Sequence, residues 1–110
     1  MDDETHAGGA AATPSHDLPR WTPFPLLRVR GRSMLPTLRP GDCLVVRPGG
    51  RIKPGQLVVA TFPAGPDLLV VKRAVRPVDG LWWVESDNPA VTDDSRRYGP
   101  AEVLSRVLLR

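Results

Sequence analysis

After its first twenty positions, this 110-residue chain is a series of short apolar runs separated by turn residues. Residues 26–30, 43–47, 57–62, 68–76, 81–85 and 103–109 carry the aliphatic and β-branched content of strands. Between them stand Arg39-Pro40-Gly41-Asp42, Pro48-Gly49-Gly50, Lys53-Pro54-Gly55-Gln56, Pro63-Ala64-Gly65-Pro66-Asp67 and Val78-Asp79-Gly80, all turn chemistry. Thirteen prolines, five of them in those joints, argue against helix. Periodicity alone leaves the last run open between strand and helix; its β-branched residues and its context favour strand. The pattern predicts one mostly-β domain over residues 21–110. It allows a brief helical turn at 33–35, capped by Ser33 and limited by Pro36. Residues 1–20, rich in Ala, Gly and acids and without periodicity, read as a disordered tail.

Charge changes this picture little. The net charge of +3 divides into −3 on residues 1–20 and +6 on the remainder. The arginines are scattered through turns and strands with no basic run, so nucleic-acid binding is not expected. No stretch reaches the roughly 20 apolar residues of a membrane span, and the acidic start is unlike a secretory signal. One cysteine, Cys43, excludes an internal disulfide framework and fits a reducing compartment. In its Gly41-Asp42-Cys43-Leu44 setting it reads as a small hydrophobe. These features together place the chain in the cytoplasm as an expectation.

Candidate chemistry starts from what is missing. The two histidines, His6 and His16, lie in the polar tail, which disfavours a His-based triad or a zinc site in the core, and no metal or cofactor is expected. Of fifteen basic residues only Lys53 and Lys72 are lysines. Arginine stays protonated in proteins, whereas a desolvated lysine can lose its proton and act as a base. Lys72 follows the apolar run Leu68-Leu69-Val70-Val71, and strand alternation puts it on one face with Val70 and Ala74. Alone it reads as an ordinary strand lysine reaching to solvent. Ser33, in Gly31-Arg32-Ser33-Met34-Leu35-Pro36, reads alone as a turn cap. Gly31 allows close backbone approach just before Ser33, where an amide can face a developing oxyanion. The Trp82-Trp83 pair sends its side chains to opposite faces, one to the core and the other to the surface, a substrate or a membrane. Asp93, Arg97 and Tyr98 read as solvated loop.

Three blocks, SMLPTLRPGDCLVV at 33–46, VVKRAV at 70–75 and SDNPAVTDDSRRYGP at 86–100, together resemble the type I signal peptidases, a family of Ser-Lys serine proteases. The resemblance implies a coiled, β-barrel-like domain of the signal peptidase and LexA-type fold. It also implies that Ser33 is the nucleophile and Lys72 the general base. Thr92 stands where a hydroxyl orients the lysine amine, and Arg73 with Asp87 and Asp94 with Arg96 stand as supporting ion pairs. Gly31 occupies a place where some members supply a second oxyanion donor, and Ser86 replaces the usual leading glycine of its loop. The membrane anchor and the large insertion of many members are absent from this sequence. The short form looks most like the soluble proteases that mature nickel-type superoxide dismutase, which implies a propeptide-bearing precursor as protein partner and a cut after a small residue. Three other readings remain at this point. One is a peripheral signal peptidase docking through Trp21, Phe24 and Leu26; another is a binding domain without turnover. The third is a self-cleaving protein cut at Ala7-Gly8.

Overall fold

A computed structural model describes residues 11–14 and 26–109. It contains seven strands: β1 (Ala11–Pro14), β2 (Leu26–Arg30), β3 (Cys43–Pro48), β4 (Leu57–Phe62), β5 (Gly65–Val78), β6 (Leu81–Glu85) and β7 (Glu102–Leu109). One short helix, α1 (Ser95–Tyr98), precedes β7. The sheet order is β1-β2-β3-β7-β4-β5-β6, and a further pairing of β1 with β5 joins the first six of these strands into a closed circuit. All pairings are antiparallel. The all-β, barrel-like expectation therefore holds.

Both faces of the central strands are covered, and the two-residue alternation of side chains decides which core each residue joins. On β4 and β5, Val59 and Val71 join one cluster with Leu27, Val29, Met34, Leu38, Leu44 and Val46. Their neighbours Val58, Ala60, Val70 and Ala74 face a second cluster with Phe62, Val84 and Ala101. Register shifts in β3, β4 and β5 bend these strands enough to close the circuit. The β5–β6 hairpin turns through Asp79 and Gly80, both at positive φ (49° and 85°), the geometry that favours an Asp-Gly pair in a two-residue loop.

The structure departs from the sequence reading at two places in the fold. Ala11–Pro14, expected to lie within a disordered tail, form β1. Their own propensity for a strand is weak; what makes them one is pairing with β2 on one side and β5 on the other, with Ala12 buried in the first cluster. The second departure is α1, which Asp94 caps by accepting the Arg96 amide. Trp21 and Phe24, two of the membrane-docking candidates, and both histidines lie outside the described residues, as does the candidate Ala7-Gly8 bond. Leu26, the third docking candidate, is half-buried in β2. Among the described residues no helix is long and apolar enough to cross a membrane.

Candidate active site

Two strands deliver the two central side chains. β2 ends at Arg30, and Gly31, at φ +83°, turns the chain into the loop that carries Ser33. A residue with a β-carbon is strained at that φ, so glycine is the residue this turn requires. The loop closes through the Leu38 amide donating to the Met34 carbonyl at 2.8 Å, and Met34 and Leu38 anchor it in the first core. β5 carries Lys72 between two neighbours in the chain, Val71 and Arg73, with Val58 of β4 opposite it. Ser33 is 1% and Lys72 0% exposed, and the Lys72 Nζ donates to Ser33 Oγ at 2.8 Å.

A second hydroxyl enters here, because Lys72 Nζ also donates to Ser86 Oγ at 3.1 Å. Thr92, to which the family resemblance assigns that role, is exposed on the turn before Asp94 and is not brought to the amine. The reason lies in Asp94, whose side chain is fully buried and accepts the Ser86 amide at 2.8 Å. That bond draws the start of the loop onto the lysine and leaves Thr92 on its outer bend. Asp94 is held in turn by Arg96, through Nη2 at 2.7 Å and Nε at 3.0 Å.

The same loop clamps the serine segment from the other side. The Asn88 amide donates to the Ser33 carbonyl at 2.8 Å, and Asn88 Nδ2 donates to the Arg32 carbonyl at 3.0 Å. Asp87 accepts from Arg73 (Nη2 at 2.6 Å, Nε at 3.2 Å) and from Thr37 Oγ1 at 2.6 Å. Arg73, next to Lys72 in β5, thus ties the lysine strand to the serine loop through Asp87. Sequence reasoning did not single out Asn88, Thr37 or the hydroxyl of Ser86. The Asn-Pro pair that begins the turn was the available signal, since Asn88 Oδ1 accepts the Ala90 amide at 3.0 Å in an Asx turn.

Burial sets the electrostatics. Desolvation lowers the Lys72 amine from 10.5 to about 8. The carboxylates of Asp94 and Asp93 oppose that fall, and Arg96 reinforces it. Asp94 itself sits below the ordinary carboxylate range: burial raises it, but bonds from Arg96 and from the Ser86 and Arg96 amides outweigh burial. Asp87 is also depressed, burial being outweighed by Arg73 and Thr37. A lysine of this kind exists in both protonation states near neutral pH. In its neutral form, 2.8 Å from a hydroxyl, it can take that hydroxyl's proton.

Other expectations resolve less directly. Cys43 is half-buried, opposite Arg28 in β2. Trp82 packs against the second core. Trp83 is not a bare surface ring: its Nε1 donates to Glu85 at 2.9 Å and Arg76 lies 4.7 Å over its face. Tyr98 is partly buried, its ring 5.2 Å from Phe62, and Arg97 pairs with Asp93 at 2.6 Å. The described residues hold no group of three or more His, Cys, Asp or Glu side chains placed for a metal ion.

The model of one protein family, Peptidase S24-like, matches residues 3–107. No curated protein and no solved structure matches the chain.

Proposed function

The chain belongs to the Peptidase S24-like family, and we propose that it is a serine endopeptidase working through a Ser33 and Lys72 dyad. The observation that carries this is the 2.8 Å contact between two wholly buried groups, one a hydroxyl and the other an amine lowered to about 8. A buried amine against a serine hydroxyl has little value for folding, because burying a charge is costly. It has value for proton transfer.

In this reading neutral Lys72 accepts the Ser33 proton as Oγ attacks the scissile carbonyl. The tetrahedral oxyanion is met by backbone amides of the turn at 31–33. Collapse breaks the C–N bond, the lysine ammonium protonates the leaving amine, and an acyl-enzyme remains. Water then attacks the ester while Lys72 takes its proton and returns one to Ser33 Oγ. Ser86 is a positioning residue, fixing Nζ by its hydroxyl, with Asp94 holding Ser86. Arg73 and Asp87 keep the lysine strand and the serine loop in place.

The substrate class we propose is a precursor bearing a short N-terminal propeptide, cut after a small residue. The narrower reading, a nickel superoxide dismutase precursor processed in the cytoplasm, rests on the motif similarity of the three blocks. Its product would start with a free amine beside histidine and cysteine side chains, N and S donors suited to nickel. The test is co-expression of such a precursor with this chain or its Ser33→Ala form, followed by N-terminal mass analysis. Trimming by the wild type alone supports the reading; an untrimmed precursor beside the wild type removes the nickel enzyme as substrate.

A further inference from the structure

The facing edges of β2 and β5 converge on the catalytic pair: β2 leads into Ser33 three residues after Arg30, and β5 reaches Lys72 two residues after Val70. A strand has two edges. At Val70 one edge is taken by Ala60 of β4 and the other by Ala11 of β1. Further along, from Arg73, β6 pairs with β5 on the edge away from β4. β1 therefore fills the gap between β2 and the end of β6 at Glu85, beside the residues that lead to Ser33 and Lys72. Without it, residues 27–30 and the backbone at Val70 would present unpaired amides and carbonyls, a template for an added strand. Ala12 of β1 is 6% exposed and packs in the cluster that holds Leu27, Val29, Met34 and Val71. A methyl group is what that position accommodates.

The cleft between β2 and β5 is where the serine peptidase reading puts an extended substrate with a small side chain; we propose that β1 is a built-in occupant of that cleft, displaced when a peptide binds. This rests on the serine peptidase reading and adds to it a competitor carried by the chain itself. Direction supports an occluding role. β1 runs antiparallel to both β2 and β5, the two strands that advance toward the catalytic pair. A substrate filling the groove with the residues before its scissile bond must run toward Ser33, parallel to both. β1 lies the other way round, so it takes the backbone pairing sites without entering in the substrate's direction. Belonging to the same chain makes it an effective competitor, because an occupant covalently joined to its site acts at an effective concentration on the order of millimolar. A peptide in solution then binds with its affinity reduced by the fraction of molecules in which the groove is open.

The test uses catalytically silent full-length chains, so that binding is read without turnover. Fluorescently labelled acetyl-Ala-Ala-Thr-Pro amide is titrated by anisotropy into Ser33→Ala, alone and combined with Ala12→Asp or Ala12→Gly. Asp at position 12 places a charge in the apolar cluster and should expel β1, raising peptide affinity at least tenfold. Gly removes only the methyl and should give a several-fold gain with the fold untouched, so a misfolded Asp variant does not end the test. A peptide with Asp in place of its second alanine should not bind. Equal affinity for all three proteins, or no binding to any, overturns the proposal. Because precursor processing by the wild type is measured separately, that outcome leaves the serine peptidase reading standing, and failure of processing leaves the binding result standing.

Discussion

The two lysines of this chain are the same side chain in opposite settings. Lys53 is exposed in a turn, its backbone amide bonded to Gln56 Oε1 at 3.0 Å. Lys72 is 0% exposed in the middle of a fourteen-residue strand, its amine between two serine hydroxyls. Removing water is what separates them: desolvation turns Lys72 from a fixed cation into a group that titrates at about 8. The lowered amine is a property of the position, supplied by β5, the serine loop and the loop that Asp94 fastens.

Replacing each lysine by arginine should separate the two most widely. Lys72→Arg keeps the charge and loses the base, so precursor cleavage should fall ~10²–10⁴-fold, with Ser33→Ala inactive and Lys53→Arg unchanged. Equal losses at both lysines, or retained turnover in Ser33→Ala, would show that the buried pair is not the catalyst.

Stability should carry the next largest difference. Between about 8 and 10.5 the unfolded chain holds a proton on Lys72 that the native chain has released, so native stability rises with pH across that window. Below about 8 both states are protonated and the desolvation cost stands in full; above 10.5 it is gone. The gain is on the order of 3 kcal/mol, since each pH unit between the two values contributes about 1.4 kcal/mol. Urea unfolding of wild type and Lys72→Met across pH values on both sides of that window measures it. A rise in the wild type absent from the Met variant is expected, and parallel curves would contradict it.

Most of the fold could be read from the sequence because local signals and tertiary contacts agree there. Runs such as Leu57–Phe62 and Leu81–Glu85 are apolar, bounded by turn residues, and occur as strands with those bounds. β1 was illegible because Ala11–Pro14 become a strand only through two partners distant in sequence. α1 spans four residues, too few for a periodicity, and depends on one capping carboxylate. In the site, Ser33 and Lys72 were accessible from residue type and motif, since both histidines lie in the polar tail. The exchange of Thr92 for Ser86 was not, because it follows from the bond between the Ser86 amide and the buried Asp94 carboxylate.

That bond gives a third contrast, between the buried Asp94 and the more open Asp87 pair, whose arginine and carboxylate are 33% and 17% exposed. Asp94→Asn should cost about 2–3 kcal/mol through weakened capping and Ser86 bonding, against about 1 kcal/mol for Asp87→Asn at a more solvated site. It should also move the rising limb of the pH–rate profile to lower pH, because the Asp94 carboxylate raises the Lys72 amine. A limb that stays in place would separate Asp94 from the amine. The smallest effect is expected at the hydroxyls: Ser86→Ala should lower kcat about tenfold with KM little changed, one hydrogen bond's worth. Thr92→Ala should be neutral, and a reversed pattern would return the orienting role to Thr92.

Everything proposed for the dyad depends on the Lys72 amine becoming neutral in the working pH range, and that can be observed directly. In the Lys53→Arg chain Lys72 is the only lysine, so ¹³Cε labelling of lysine gives a single side-chain signal for NMR titration from neutral to strongly alkaline pH. The expected midpoint is about 8. A midpoint at 10.5 or above would mean a lysine that stays protonated beside Ser33, and the dyad would have no base.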